Sequence, residues 1–236
     1  MELLSGLQII DLSLFFFNSK TLIISDLQLG YEDYLIKKGV LIPKFQFDDL
    51  YKKFEGLLEF LKPKLVVLNG DLKHEFGTIN KTEWKLLKLF DLIKKYCDFV
   101  VIKGNHDSII KPILKKRGIK LVDEYVFEEY YVCHGHVIPN NRKFNDSKTI
   151  IIGHEHPAIS LRDEGRVEKF KCFLKGSYED KDLIVMPSFN VLTKGTDVLT
   201  QKTLSPFFDL NFKEFEVYVV SEKIKYFGKI KDIINR

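Results

Sequence analysis

The chain has 236 residues, 45% of them hydrophobic, and its 20 Phe alone supply ample material for a core. This size favours one large domain over two small ones. The formal net charge of +4 tolerates a polyanionic partner but is too small to indicate one. Three cysteines without metal-type spacing predict reduced thiols and a cytoplasmic protein. Because no apolar stretch approaches ~20 residues, we expect no membrane partner.

The first part of the chain predicts strands that alternate with helices. The stretch LSLFFFNSKTLIIS predicts two strands around a turn that begins at Asn18. Apolar residues at helical spacing predict a helix from Phe47 to Leu61, which Pro63 follows. The apolar run KLVVLNG then predicts a buried strand. This order of elements is typical of an α/β fold.

The middle of the chain predicts further helices before a β-rich second half. A helix is predicted from about Asn80, where Glu83 three residues later resembles a capping box. The run DFVVIKG predicts the next strand, and a short basic helix is predicted over Ser108–Lys116. After Leu121 the pattern predicts strand after strand, over Tyr130–Cys133, Thr149–Ile152, Lys169–Leu174, Leu183–Met186, Glu216–Val220 and Lys223–Phe227.

The domain organisation follows from what the chain lacks. No linker, repeat or low-complexity tract interrupts it, so the sequence predicts a single domain over residues 1–236. The motif-bearing core is expected over about residues 21–200, and strands within residues 214–228 are expected to complete the sheet. The fold class is therefore α/β, with helices concentrated early and strands late.

Five apolar runs end in polar residues that are able to bind a metal ion. In open α/β sheets, binding sites form beyond the carboxyl ends of the strands. The mixture of oxygen and imidazole groups at these ends suits divalent Mn, Fe or Zn. The residues, in chain order, are Asp26 and Gln28; Asp71; Asn105, His106 and Asp107; His134 and His136; and His154 and His156.

The stretch IIGHEHP holds two histidines one residue apart after an apolar run. If the stretch is extended, His154 and His156 share one face of a strand, because side chains alternate along it. Each of the five motifs alone also fits an ordinary surface turn. Taken together, that alternative needs five independent coincidences, so we prefer a shared metal site.

In this order, the motifs resemble those of the calcineurin-like metallophosphoesterases. That family carries D-x-H, GD, GNHD, a later histidine often followed by Gly, and GHxH. The corresponding stretches here are SDLQLG, NGDLKHEFG, KGNHDS, CHGH and IGHEHP. The later stretch Met186–Val198, which contains MPSFN and KGTDV, also resembles the archaeal SbcD-related branch. One departure matters, because Gln28 stands where the family usually has His.

The resemblance implies a four-layer α/β/β/α sandwich, a β sandwich flanked by helices, with two divalent metal ions at the strand ends. Mn²⁺ is the expected metal, and Ni²⁺, Fe²⁺ and Zn²⁺ are alternatives. By position, the first ion would be held by Asp26, Gln28, Asp71 and His156. The second ion would be held by Asp71, Asn105, His134 and His154. Asp71 would bridge both ions.

The resemblance also implies roles around these ligands. The family mechanism is attack by a metal-activated bridging hydroxide, with His106 as the general acid at the leaving oxygen. Asp107 either orients that histidine or caps the following helix. His74 and His136 either line the substrate site or lie on the surface. The basic stretch Lys111–Lys120 is either a solvated helix face or a nucleic-acid contact.

Together, the motifs predict a metal-dependent phosphoesterase that acts on phosphodiesters in preference to monoesters. One alternative is a nuclease that acts on DNA ends, as SbcD relatives do. Against it, the chain ends soon after the core, with little room for a domain that caps DNA. Another alternative is a metal-binding scaffold without turnover. The presence of His106 argues against a scaffold, which has no use for a general acid.

Overall fold

A computed structural model describes residues 1–41, 46–74, 81–107, 110–163, 166–208 and 212–234 of the chain. The helices of these ranges are α1 (Tyr31–Lys37), α2 (Gln46–Leu61), α3 (Lys81–Tyr96), α4 (Lys111–Lys116), α5 (Arg142–Asp146) and α6 (Ile230–Ile234), with a short 3-10 helix at Phe212–Glu214. The strands as far as residue 122 are β1 (Glu2–Leu4), β2 (Leu7–Ile10), β3 (Ser13–Phe16), β4 (Thr21–Ser25), β5 (Leu65–Asn69), β6 (Asp98–Ile102) and β7 (Lys120–Val122). The later strands are β8 (Glu124–Phe127), β9 (Tyr130–Cys133), β10 (Thr149–Ile152), β11 (Pro157–Asp163), β12 (Arg166–Tyr178), β13 (Lys181–Val185), β14 (Thr196–Asp197), β15 (Glu216–Val220) and β16 (Ile224–Lys229).

The first sheet contains β1 to β7 in chain order. The strands β1 to β4 run antiparallel, and the β3–β4 connection confirms the hairpin that was predicted around Asn18. From β4 to β7 the strands are parallel, since helices cross between them. The carboxyl ends of β4, β5 and β6 therefore meet at one edge of this sheet.

The second sheet has the order β14-β11-β12-β13-β10-β9-β8, and β15 pairs with β12 and β16. The strands β9, β10 and β13 run parallel to one another, whereas the β8–β9, β11–β12, β12–β13 and β15–β16 pairs are antiparallel. The carboxyl ends of β9 and β10 consequently form a second parallel edge. No helix within the described ranges is both long and apolar enough to cross a membrane.

The two sheets pack against each other over an apolar core. Ile23, Val67 and Val100 come from three neighbouring strands of the first sheet, and they cluster with Ile151 and Ile184 of the second. All five side chains are buried. Complete burial of a side chain of this size contributes about 1.5–3 kcal/mol to folding, so this core fixes the two parallel edges relative to each other.

Helices cover the outer faces of both sheets. On the first sheet, Phe54 of α2 and Phe90 of α3 pack in one cluster with Leu22. On the second sheet, Phe144 of α5 and Ile230 of α6 share a cluster with residues of β10, β12 and β13. The layers are therefore helix, sheet, sheet and helix. The predicted four-layer α/β/β/α sandwich is confirmed.

The helices differ in how well the sequence predicts them. The amphipathic helices α2 and α3 are confirmed, while the cap predicted at Asn80 and the helix start predicted at Ser108 lie outside the described residues. The short basic helix is found as α4. The sequence does not predict α1, which has 7 residues and follows Gly30, a residue at φ 91° without a capping side chain.

Candidate metal centre

The candidate site residues follow five strands whose carboxyl ends converge. In the first sheet, Ser25 at the end of β4 pairs with Asn69 of β5, and Asn69 pairs with Ile102 of β6. The polar residues that come next in the chain therefore lie side by side. In the second sheet, Ile152 at the end of β10 pairs with Cys133 at the end of β9, so the two histidine motifs are neighbours as well.

The backbone turns sharply where these strands end. Positive φ angles occur at Asp26 (55°), Gln28 (42°), Asp71 (45°), His154 (64°) and His156 (50°). Residues other than Gly seldom adopt this left-handed conformation, and it is concentrated at functional sites. The stretch IIGHEHP is therefore not extended at its histidines, and the expectation that they share one face of a strand is wrong. The turn itself brings both of them to Asp26.

Asp26 is buried and carries one oxygen that is suited to a cation. Its Oδ2 accepts hydrogen bonds from Ser25 Oγ at 2.6 Å and from the backbone N–H of His154 at 3.1 Å. Its Oδ1 accepts none from the described residues, although His156 Nε2 lies 3.1 Å away and His134 Nδ1 lies 3.7 Å away. A buried carboxylate oxygen without a donor is costly, and a metal ion would satisfy it.

Asp71 lies at the centre of a second group of contacts. Its Oδ1 accepts a hydrogen bond from the backbone N–H of His106 at 3.0 Å and lies 3.5 Å from His134 Nε2. The same histidine nitrogen is 2.9 Å from Asn105 Oδ1. Burial favours the protonated carboxyl group, but the hydrogen bond and charge of His134 outweigh burial and lower the pKa of Asp71 to about 2. Asp71 is therefore ionised at neutral pH.

The donor set of this region fits a divalent cation. Asp71, His134 and His154 offer ligand atoms that all lie within 4.8 Å of one another. Burial, followed by the positive charge of His134, lowers the pKa of His154 to about 4. The imidazole of His154 is consequently neutral at pH 7. A neutral imidazole and an ionised carboxylate are the forms that bind a metal ion.

Gln28 also reaches the cluster and is 8% exposed. Its Nε2 lies 3.5 Å from His156 Nε2, and its Oε1 accepts a hydrogen bond from Thr193 Oγ1 at 3.4 Å. Rotation of the amide by 180° would exchange its oxygen and nitrogen and turn the oxygen toward His156. Gln28 thus lies beside the candidate ligands, with its amide held by a hydroxyl from outside that set.

A loop after β13 supports the backbone around Asp26 and Gln28. Ser188 Oγ donates a hydrogen bond to the carbonyl of Asp26 at 2.7 Å. Asn190 Nδ2 donates to the carbonyls of Leu27 and Gln28 at 3.0 and 3.1 Å. The sequence analysis assigns no individual role to Ser188 and Asn190, although both lie in the stretch MPSFN, which resembles the SbcD-related branch.

His106 lies at the open side of the cluster. Its Nε2 is 4.0 Å from Asp71 Oδ2, and its side chain is 32% exposed. The ring of His74 stacks parallel to the His106 ring, with centroids 6.4 Å apart. Tyr31 and Tyr34 pack edge-on against His74, with centroids at 4.6 and 4.8 Å. Helix α1, which the sequence does not predict, therefore supplies two aromatic rings to the surroundings of the site.

Asp107 and His136 differ in their burial and in their contacts with the cluster. Asp107 is buried, and its two carboxylate oxygens accept hydrogen bonds from the backbone N–H groups of Gly104 and Leu72, each at 2.9 Å. These bonds tie two motif turns together, while the roles expected of Asp107 from the sequence stay predictions. His136 is exposed, and its ring centroid lies 5.2 Å from that of His134.

Two motif glycines allow the ligand turns to approach each other. A Cβ atom at Gly153 would lie 1.9 Å from Ser25 Oγ and 2.4 Å from Asp26 Oδ2. A Cβ atom at Gly104 would lie 2.1 Å from Asp71 Oδ1. Contacts this short do not occur between real atoms, so any side chain at either position would displace a carboxylate of the cluster.

Comparison with solved structures finds one chain of similar fold and other chains of weaker similarity. The crystal structure of the Pseudomonas putida nuclease MPE matches with 20% sequence identity, covers 94% of each chain and gives a TM-score of 0.66. The protein of unknown function AQ665 from Aquifex aeolicus is 17% identical, covers 61% of this chain and 81% of its own, and gives a TM-score of 0.40. The E. coli phosphoesterase Yfce is 13% identical in sequence. The match covers 90% of this chain and 93% of the Yfce chain, and its TM-score is also 0.40. A comparison with curated proteins finds no match.

The motif-bearing part of the chain also matches a family model directly. The model describes the calcineurin-like phosphoesterases and matches residues 19–209, a range that includes every residue of the cluster. The match confirms the family that the motifs predict, while the SbcD-related branch stays a prediction. Members of this family are hydrolases that act on phosphoester bonds and use divalent metal ions. This chain belongs to the calcineurin-like phosphoesterase family.

Proposed function

We propose that this protein is a phosphodiesterase that depends on two divalent metal ions. One observation carries the proposal. The buried carboxylates of Asp26 and Asp71 face three imidazoles, and within the described ranges neither carboxylate pairs with a Lys or Arg. Buried negative charges need positive partners. Because the ligand groups are oxygen and imidazole, divalent metal ions are the partners that suit them.

The candidate ligands divide into two sets that share Asp71. The first set would hold one ion and consists of Asp26, Gln28, Asp71 and His156. The second set would hold the other ion and consists of Asp71, Asn105, His134 and His154. Two divalent ions against two carboxylates leave a net positive charge, which attracts a phosphate ester. When bound, the ions would supply Lewis acidity and an activated water for in-line attack at phosphorus.

We assign His106 the role of general acid. Its place at the open side of the cluster suits donation of a proton to the leaving oxygen as the bond between that oxygen and phosphorus breaks. His74 stacks on this ring, so we assign it a positioning role at the substrate site. Asp107 would hold two motif turns together, since both its oxygens accept backbone hydrogen bonds. His136 is assigned to the rim of the site.

Mn²⁺ is the metal that this ligand set favours. Gln28 would offer an amide oxygen in place of the imidazole nitrogen that is usual in the family. An amide oxygen is the harder and less basic ligand of the two, so it suits Mn²⁺ better than Zn²⁺. Ni²⁺, Fe²⁺ and Zn²⁺ are the alternatives that a metal panel would test.

Nucleic-acid hydrolysis is the second candidate function. The Pseudomonas putida protein of similar fold is described as a nuclease, but at 20% identity this likeness extends to the fold alone. In this chain, a lysine-lined cavity next to Thr193 favours a polyanionic substrate. A metal-binding scaffold is the third candidate, and the placement of His106 beside Asp71 argues against it.

Steady-state assays with a panel of substrates test the proposal. The panel consists of bis(p-nitrophenyl) phosphate, p-nitrophenyl phosphate, and single- and double-stranded DNA, each with Mn²⁺, Ni²⁺ or Mg²⁺. We expect hydrolysis that requires added metal, is highest with Mn²⁺ and favours the diester over the monoester. If no phosphate ester is hydrolysed with any metal, the proposal is overturned and the scaffold is favoured.

A matched pair of variants separates the metal centre from a general effect of charge. Asp71→Asn and Asp180→Asn each remove one negative charge, but Asp180 lies in the β12–β13 turn with a side chain that is 84% exposed. We expect Asp71→Asn to lose both turnover and bound metal, because Asp71 belongs to both ligand sets. Asp180→Asn should keep both. Equal turnover and equal metal content in the two variants would remove Asp71 from the centre.

A further inference from the structure

A cavity of about 330 Å³ lies beside the Gln28 side of the metal centre. Its wall includes the β2–β3 turn, helix α2, strand β12 and the loop that follows β13. Thr193 belongs to this wall, and its hydroxyl donates the hydrogen bond that holds the amide of Gln28. Thr193 therefore contacts both the cavity and Gln28, a candidate ligand of the proposed metal centre.

The charge on the cavity wall is strongly unbalanced. The polar lining includes the lysines Lys53, Lys169, Lys171 and Lys194, against the carboxylate of Asp11. Lys53 Nζ and Asp11 Oδ1 form an ion pair at 2.9 Å, with side chains that are 24% and 36% exposed. Lys53 is thereby paired, whereas Lys169, Lys171 and Lys194 form no ion pair with a carboxylate of the described residues.

Lys171 is the most unusual of these lysines. Its amine donates hydrogen bonds to the carbonyl of Ser188 at 2.6 Å and to the carbonyl of Asn190. Among the described residues no carboxylate forms an ion pair with it. Burial, followed by the positive charge of Lys53, lowers the pKa of Lys171 to about 7, and the carboxylates of Asp26 and Asp11 offset only part of this effect. The ammonium form of Lys171 is held by neutral carbonyls and lies near the cation of Lys53, so a bound anion would stabilise it.

Hydrogen bonds to backbone carbonyls fix the positions of the Lys169 and Lys171 amines. Lys169 Nζ donates a hydrogen bond to the carbonyl of Gly195 at 2.9 Å. An ammonium group carries three N–H donors, so after these bonds to described residues Lys169 has two donors left and protonated Lys171 has one. Lysines position phosphate groups as point charges with several donors. The cavity thus offers fixed donors and excess positive charge to one anionic group.

We infer that this cavity binds a second phosphate group of the substrate, the one next to the phosphate at the metal centre. The inference rests on the proposed phosphodiesterase function and narrows its substrate class. A diester with a single phosphate cannot fill the cavity and the metal centre at once, whereas an oligonucleotide can. The substrate class is therefore a nucleotide chain with at least two phosphates.

Two short substrates that differ by one phosphate test this directly. The thymidine trinucleotide TpTpT has two phosphates, so one of its two bonds has its neighbouring phosphate on the side of the cavity, whereas the dinucleotide TpT has a single phosphate and no neighbour. We expect kcat/KM to be about tenfold higher or more for TpTpT, after allowance for its two bonds, because a charged hydrogen-bonded contact is gained. Equal values of kcat/KM per bond would overturn the inference.

Charge variants of the cavity should move this ratio in opposite directions. Lys53→Met and Lys171→Met should each lower the ratio of kcat/KM for TpTpT to that for TpT by about tenfold. Asp11→Asn should raise it, because Lys53 loses its competing partner. Asp11 has φ 54°, a conformation that Asn tolerates well. Lys148→Met removes an equal charge from a lysine that is 77% exposed, and it should leave the ratio unchanged.

The variants also separate phosphate binding from support of the loop. Lys171 holds the carbonyls of Ser188 and Asn190, so its loss could slow every substrate by shifting that loop. Lys53→Met and Asp11→Asn leave these bonds intact, so a change of the ratio in these two variants reports phosphate binding and not a shift of the loop. If neither variant changes the ratio, the cavity is not a phosphate site.

Failure of the proposed function would look different. Hydrolysis of bis(p-nitrophenyl) phosphate depends on the metal centre and not on a second phosphate. If that activity is missing, the proposed function fails. Equilibrium binding of TpTpT and TpT to the same variants then takes the place of kcat/KM, and the same ratios decide whether the cavity binds phosphate.

Discussion

The two halves of the proposed metal centre are built in different ways. In the Asp71 half, the ligand side chains hold one another, since His134 Nε2 lies 2.9 Å from Asn105 Oδ1 and 3.5 Å from Asp71 Oδ1. In the Asp26 half, His156 Nε2 lies 3.1 Å from Asp26 Oδ1, but Gln28 Nε2 is 3.5 Å from His156 Nε2 and the oxygen of Gln28 is bound by Thr193. Gln28 therefore differs from the ligands of the first half, because its side chain depends on a loop from elsewhere in the chain.

Because the two halves differ in this way, their affinities for a metal ion need not be equal. Ligands that already have their final positions lose little conformational freedom when an ion binds. We therefore expect a tight ion in the half formed by Asp71, Asn105, His134 and His154, and a weaker ion in the half that contains Gln28. A chelator should remove one ion before the other, which elemental analysis after stepwise chelation would show.

The largest effect is expected for His106→Ala, which tests whether the proton donor belongs to the Asp71 half. His106→Ala should lower kcat by roughly 10²–10⁴-fold on TpT, a diester with a poor leaving group. The loss should be smaller on bis(p-nitrophenyl) phosphate, whose aryl oxide departs without much protonation. Metal content should stay near that of the native protein, because His106 belongs to neither ligand set. Equal losses on both substrates would remove His106 from the role of general acid.

Gln28→His should remove the difference in metal affinity between the two halves. The imidazole would tighten the weak ion by about tenfold or more and shift the preference of that site toward Zn²⁺ or Fe²⁺. Titration calorimetry together with elemental analysis measures both changes. Gln8→His, which adds an imidazole on β2, serves as the control and should change neither.

Two results would contradict this account of Gln28. Two equally tight ions in the native protein would mean that water or another carboxylate completes the shell of the Asp26 half. A Gln28→His variant with unchanged affinity and unchanged metal preference would mean that residue 28 is not a ligand.

Thr193→Val should increase the difference in metal affinity between the two halves, by a smaller amount than Gln28→His decreases it. The Thr193 hydroxyl can donate or accept a hydrogen bond, so it steadies the amide of Gln28 in either orientation. Loss of such a supporting group typically costs 10- to 100-fold in metal affinity, and we expect about tenfold for the weak ion alone. Thr200→Val, at an exposed position, is the control. Equal weakening of both ions would show damage to the fold instead.

The smallest expected effect concerns α4, outside both halves. If the substrate is nucleic acid, Lys115→Ala with Lys116→Ala should flatten the dependence of DNA affinity on salt by about two units at most, one for each lost phosphate contact. Arg117 is not included because it is engaged with Asp91. Filter binding at several salt concentrations gives the slope. An unchanged slope would assign this helix to the solvated surface.

The positions of the site residues are predictable because parallel strands end at a common edge. Asp26, Asp71 and Asn105 each follow a strand of the first sheet, and His134 and His154 each follow a strand of the second. An apolar run that ends in a polar residue signals such a position in the sequence. The helices α2 and α3 are predictable for a similar reason, since their apolar residues repeat with helical spacing.

The conformation of the turns and the groups that support them could not be predicted. Positive φ at His154 and His156 depends on packing against another sheet, and no local propensity signals it. Asp107 bonds to Leu72, 35 residues earlier, and Asn190 bonds to Gln28, 162 residues earlier. Such pairings are set by the tertiary fold, and a single sequence carries no pattern for them.

The hydrogen bonds of the loop after β13 have a consequence for how the protein folds. Ser188 and Asn190 reach back 162 or 163 residues to close on the turn at Asp26 and Leu27. Contacts so distant along the chain form late, because a long loop must close before they give any stability. All the candidate ligands of both halves have been synthesised once the chain reaches His156, but the loop that supports the Asp26 half is synthesised about thirty residues later. We therefore expect the turn that carries Asp26 and Gln28 to gain its supporting hydrogen bonds late in folding, after residues 188 and 190 have been synthesised.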